Sequence, residues 1–170
     1  TDGSIVNDGS ESNGGSWGDY DNDGDLDLFV SNGGGGSGNP NFLYRNDGDG
    51  TFTKITDGGI VNDVNGSTGS EWIDFDNDGD LDLSVGNGHV YPVIDDHDLG
   101  TSYAQRNSLF ENLGNGRFAE VSASSGSGFA VEKVSRGAAF GDYDDDGDVD
   151  ILVLNVDDTP TLLRNDGGNR

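Results

Sequence analysis

An all-β fold of three similar sheets in tandem is what this sequence predicts, on three observations. An acidic stretch of nine residues occurs three times, as DYDNDGDLD at 19–27, DFDNDGDLD at 74–82 and DYDDDGDVD at 142–150. Each copy runs into a short alternating segment rich in apolar and β-branched residues, LDLFV, LDLSV or VDILV, which is strand patterning. No stretch places apolar residues at helical spacing between capping residues.

Internal repetition sets the order of elements. TDGSIVND at 1–8 returns as TDGGIVND at 56–63, an offset of 55 that the first two acidic loops share. The third loop follows the second by 68, so the second unit carries an insertion of 13 residues, placed within 87–106. The chain is thus one repeat array, with units at 1–55, 56–122 and 123–170. In the first unit a short strand at 16–19 leads into the loop and a second strand follows at 26–30. The Gly/Ser/Asn run at 31–40 is expected to hold no packed structure. A strand at 41–45, the turn NDGDG at 46–50 and a strand at 51–55 complete four strands.

The second unit repeats the pattern with EWI, LDLSV, SLFEN and RFAEV, and the third with AAF, VDILV and TLLRN. Arg170 aligns with Thr51, so the third sheet is expected to lack its outer strand. Trp17, Trp72 and Phe140 stand two residues before each loop, and Tyr20, Phe75 and Tyr143 at its second position. All six are expected to pack between units. Leu28 with Val30, Leu83 with Val85, and Ile151 with Val153 give each inner strand one apolar face.

The acidic loops carry the chemistry. Carboxylates at positions 1, 3, 5 and 9 surround a glycine at position 6: Asp19, Asp21, Asp23 and Asp27; Asp74, Asp76, Asp78 and Asp82; Asp142, Asp144, Asp146 and Asp150. Such a loop wraps hard oxygen ligands around one cation. Without it, two carboxylates about 4 Å apart repel by roughly 1 kcal/mol in water and roughly 4 at an effective dielectric near 20. Acidic turns are common on their own, but three copies with the same positions and the same strand behind them predict three calcium sites. An EF-hand is excluded, because position 9 is Asp, a strand follows, and no bidentate glutamate closes a loop of twelve.

Composition narrows the function classes. Among 170 residues, 30 are Gly and 31% are hydrophobic, so the core must be thin. Acidic residues number 33 against 8 basic, a formal charge of -25 that three divalent ions would reduce by only six. Nucleic acid and anionic membranes are poor partners for that surface. Disorder, which such charge can also signal, is opposed by apolar residues falling in register at every repeat. There is no Cys, no apolar run that could span a bilayer as a helix, and no Met. A chain beginning at Thr1 points to a processed product or an excerpt of a longer one.

Catalysis has little to stand on. Gly14, Ser16 and Gly18 spell GxSxG, but a nucleophile elbow needs a strand, a turn and a helix, and here an acidic loop follows at once. His97, within Asp95, Asp96 and Asp98, is expected in a solvated acidic loop, and His89 in an ordinary hydrogen bond. Asn65 opens the sole N-x-S sequon.

These residues resemble the FG-GAP/VCBS type of β-propeller repeat, found in integrin α-subunit heads and many bacterial surface proteins. NGHVYP at 87–92, RNSLFENLGNGRF at 106–118, RGAAFGDYDDDGDVDILVLN at 136–155 and TLLRNDGGNR at 161–170 are similar to the cartilage acidic protein and ASPIC/UnbV group. There the last run leads into a small C-terminal domain, whereas this chain stops at Arg170. The resemblance implies three blades, incomplete as a ring, since propellers close with roughly 4 to 8. It also implies that Asp25, Asp80 and Asp148 add backbone carbonyls to the three calcium sites. The function implied is a non-catalytic, calcium-binding extracellular module for adhesion or assembly, with protein partners or copies of itself. Alternatives are a subunit of a self-assembling filament or ring, and a glycan-binding or accessory domain of an enzyme.

Overall fold

The computed structural model describes residues 4–33 and 39–167. The first sheet is an antiparallel meander of β1 (Ser12–Gly18), β2 (Asp27–Asn32), β3 (Phe42–Asn46) and β4 (Phe52–Ile55). The second repeats it with β5 (Ser67–Ile73), β6 (Asp82–Asn87), β8 (Ser108–Asn112) and β9 (Phe118–Glu120). The third has β11 (Ser135–Gly141), β12 (Asp150–Asn155) and β13 (Thr161–Leu163), without a fourth strand among the described residues. The fold is all-β as the repeats predict, and the array of sheets is not closed into a ring.

The first strand of each sheet is longer than the sequence suggests. SNGGSWG is poor strand material, yet all three copies pair along their length and all three slip register once, at Ser12/Gly14, Ser67/Gly69 and Ser135/Gly137. Glycine there serves close approach. A Cβ on Gly69 would stand 3.0 Å from the Arg136 carbonyl of the next sheet, and one on Gly14 3.4 Å from that of Thr68.

Each sheet has a leading face toward the preceding unit and a trailing face toward the next. Between the first and second sheets, Phe29 and Leu43 on one trailing face meet Trp72, Leu83, Val85 and Phe110 on the next leading face. Between the second and third, Ile73 and Leu109 meet Ile151 and Val153, with Phe75 and Phe140 packed against them. The expected apolar faces of the inner strands are therefore the leading faces. The middle strand β6 is covered on both sides, whereas β12 alternates between buried Ile151 and Val153 and exposed Leu152 and Leu154.

The aromatic residues obey this polarity, and two of them depart from expectation. Tyr20, 4% exposed, stacks on Trp72, 7% exposed, with centroids 5.9 Å apart and planes at 11°. Their counterparts at the two outer faces, Trp17 and Tyr143, are 53% and 56% exposed. They fail to pack between units because each points to a face with no neighbouring sheet in the described array.

Three further features escaped the sequence patterns. The repeated SIVN and GIVN form single helical turns, α1 (Ser4–Asn7) and α2 (Gly59–Asn62), too short to show a helical period. The insertion joins two units: β7 (Gln105–Arg106) pairs with β10 (Glu132–Lys133), and Arg136 donates from Nη1 and Nη2 to the carbonyls of Gly88 (3.3 Å) and His89 (3.1 Å). The Gly/Ser/Asn run at 31–40 begins inside β2. Asn32 is fully buried, accepting a hydrogen bond from Ser12 Oγ (2.8 Å) and donating to the Pro40 carbonyl (2.8 Å). Residues 34–38 of that run, like residues 1–3 of the first TDGSIVND, lie outside the described residues.

Gly18 shows how tightly the first two sheets fit, since a Cβ there would fall 2.5 Å from Trp72 Cδ1, whereas one on the equivalent Gly141 meets nothing within 4 Å. Gly18→Val is expected to cost about 1–3 kcal/mol through overpacking, and Gly141→Val much less. Urea unfolding of the two variants in dilute protein with calcium measures the difference.

Candidate metal centres

Each acidic loop is shaped by its own carboxylates. At position 1, Asp19 accepts hydrogen bonds from the backbone N–H of Asp23 and Gly24, both at 3.0 Å. Asp74 does so from Asp78 and Gly79 (3.1 and 3.2 Å), and Asp142 from Asp146 and Gly147 (3.1 and 2.9 Å). At position 5, Asp23, Asp78 and Asp146 each accept the N–H two residues on, at 2.9, 2.9 and 3.0 Å. Position 6 needs glycine, because the loop passes through φ values of 95°, 94° and 97° at Gly24, Gly79 and Gly147.

The position-9 aspartate ties the loop to the sheet. Asp27 takes the N–H of Tyr20 (3.1 Å) on one oxygen and that of Asn46, at the end of β3, on the other (2.8 Å). Asp82 is held alike by Phe75 (3.0 Å) and Asn112 (2.7 Å), and Asp150 by Tyr143 (3.0 Å) and Asn165 (2.8 Å). All three carboxylates are buried. Burial pushes the Asp82 carboxyl up to about 7 and that of Asp27 up to about 6, the N–H donors only partly opposing it. Burial, then the charge of Asp23, also raises Asp21 above its ordinary range, and Asp144 is raised by burial and then by Asp146.

Carboxylate oxygens converge in each loop. Asp19, Asp21 and Asp27 each offer one within 4.8 Å of the others, and so do Asp74, Asp76 and Asp82, and Asp142, Asp144 and Asp146. Two oxygens on one calcium ion lie at most about 5 Å apart, twice a 2.3–2.6 Å bond, so the spacing fits. Asp21 Oδ1 is buried with no hydrogen-bond partner, as a metal ligand would be. The convergent group includes position 9 in the first two loops but position 5 in the third, whose members are exposed and where Arg164 stands 3.7 Å from Asp144. Asp23, Asp78 and Asp150 fall outside these groups, although they accept the same backbone N–H bonds as Asp146, Asp27 and Asp82. The side chains of Asp80 and Asp148 turn toward a neighbouring loop.

That turn exposes a linkage no motif announced. Asn22, at position 4 of the first loop, donates to Asp80 Oδ1 of the second (2.7 Å), and Asn77 of the second donates to Asp148 Oδ1 of the third (2.8 Å). A second set runs the other way: the Asn112 side chain donates to the Tyr20 carbonyl (2.8 Å) and that of Asn165 to the Phe75 carbonyl (2.7 Å). Asn at position 4 in two loops, and Asn closing the third strand in every unit, were the available sequence signals.

The repeat model for FG-GAP-like repeats matches residues 19–85 and 96–153, most of the chain, and every one of the sixteen loop aspartates falls inside. The chain belongs to the FG-GAP-like repeat family. No curated protein sequence matches it. The other chemical candidates stay outside the FG-GAP-like loops. Ser16 lies within β1, its Oγ 3.0 Å from Ser70 Oγ, and His89 is buried with Nδ1 accepting the Tyr91 N–H (3.0 Å).

Raised carboxyl pKa values fix the sign of a pH effect. Asp27 and Asp82 bind protons more tightly folded than unfolded, so their contribution is full below about pH 4 and is lost as pH rises through 6 to 7. The melting temperature of cation-free protein is therefore expected to rise on acidification from pH 7.5 to 5.5. In saturating calcium it is expected to fall, because protons compete with the ion. Thermal melts across that range check for opposite slopes, and slopes of the same sign contradict the assignment.

Proposed function

We propose that the chain is a non-catalytic calcium-binding module, placed outside the cell, whose ion-loaded loops hold blade-type sheets in register for adhesion or assembly. The observation that carries this reading is the continuous acidic seam: three convergent carboxylate groups joined by Asn22 to Asp80 and Asn77 to Asp148. An ion in one loop fixes the carboxylates that the next loop's linkage needs.

Calcium is favoured over magnesium by ligand type and shape. The loops present several carboxylates on a flexible glycine turn, whereas Mg²⁺ holds near-ideal octahedral geometry and keeps most of its waters. The ligands proposed are the aspartates at positions 1, 3, 5 and 9, with the carbonyls of Asp25, Asp80 and Asp148. Weak loops of this kind fill where free calcium is high, which supports an extracellular setting. The finer placement in the cartilage acidic protein and ASPIC/UnbV group rests on the sequence runs quoted above.

With free calcium about ten times the dissociation constant, each site would add about 1.4 kcal/mol, and three about 4. Net stabilities are commonly about 5–15 kcal/mol, so that share decides whether the array folds. Chelation is expected to lower the melting temperature by on the order of 10 °C. Scanning calorimetry in calcium and in EGTA makes the comparison, and superimposable curves would contradict the reading.

A further inference from the structure

We infer that the two outer faces of the array are the halves of one interface, so that the trailing face of the third sheet docks on the leading face of the first sheet in a second copy. This rests on the assembly reading above and supplies its partner. The two internal interfaces are the template, and they differ in a way that selects between ends. Where the preceding sheet ends in Gly18, the next presents Trp72; where it ends in Ile73, the next presents the smaller Phe140. The third sheet ends in Gly141, beside which nothing lies within 4 Å. Like Gly18, it leaves room for a tryptophan, and the outer leading face carries Trp17.

The surrounding groups agree. Tyr20, Trp72 and Phe118 form an aromatic trio at the first interface, with centroids 5.7 to 6.0 Å apart. Trp17 and Phe52, equivalent to Trp72 and Phe118, already sit 6.1 Å apart, and Tyr143 at the other end is the missing third ring. Exposed Leu152 and Leu162 hold the places of fully buried Phe29 and Leu43. Asn46 occupies the position from which Asn112 and Asn165 donate to the loop carbonyl of the preceding sheet, so it is placed to donate to that of Tyr143. Two copies of these 170 residues would supply six blade-type sheets, within the roughly 4 to 8 at which propellers close.

One group opposes the contact. Asn22 and Asn77 donate to the next loop's position-7 aspartate, but the third loop has Asp145 there, in the same backbone conformation (φ 61° against 58°). Asp145 would face Asp25 of the second copy, carboxylate against carboxylate. The pairing is therefore reversible by construction, and replacing Asp145 strengthens it.

Sedimentation velocity of the 170-residue chain in calcium, over a dilution series, is the test. Wild type is expected to associate with concentration toward the mass of two copies, and Asp145→Asn to tighten this about tenfold or more, as one restored hydrogen bond to a charged acceptor would. Gly141→Ile should leave a monomer. Adding Trp17→Phe to Gly141→Ile should restore association, copying the Ile73 and Phe140 pair. A wild type and an Asp145→Asn variant that stay monomeric, or a Gly141→Ile variant that associates undiminished, would overturn the inference. The calcium-dependent melting shift, measured on the same samples, separates the two claims: a monomer that retains the shift refutes only the pairing, and loss of the shift refutes the calcium module itself.

Discussion

The structure depends on carboxylates held closer together than their charges favour. In each unit the loop is folded by its aspartates, which accept the backbone N–H groups that a tight glycine turn would otherwise leave unsatisfied. The same side chains then crowd within 4.8 Å. Asp27 and Asp82 are the sharpest cases, since burial holds their carboxyls near 6 and 7 even while two N–H donors favour ionisation. A divalent ion would relieve that conflict without removing the hydrogen bonds, so that one loop could serve both as a turn and as the proposed metal site.

The sheets inherit their spacing from these loops. Asn22 and Asn77 reach forward from one loop to the next, and Asn112, at the end of β8, and Asn165, just past β13, reach back to the preceding loop. Apolar packing fills what lies between, with a thin core in which small changes of volume matter: a tryptophan opposite Gly18, a phenylalanine opposite Ile73. Arg136 and the β7–β10 pair draw the insertion over the junction of the second and third sheets, so its 13 extra residues add contacts there.

What the sequence made legible follows from how physics writes patterns. Alternation in LDLFV, LDLSV and VDILV marks strands because one face is apolar, and the acidic loops stand out because the same carboxylate spacing recurs three times. SNGGSWG is opaque, since its glycines answer to the carbonyls of an adjacent sheet, which no local propensity encodes. The SIVN turns are too short for a period to register. The aromatics were readable as interface residues but not as members of an outer or inner face, because Trp17 and Trp72 differ in neighbours, not in local sequence. Within the loops, the recurring acidic positions were evident, while the convergence of position 9 in two loops and position 5 in the third was not.

Counting bound ions tests the central claim most directly. Native mass spectrometry of the chain exchanged into calcium should show three calcium ions per chain, lost stepwise as loop aspartates are replaced by asparagine. A folded chain that carries no calcium under those conditions would contradict the account.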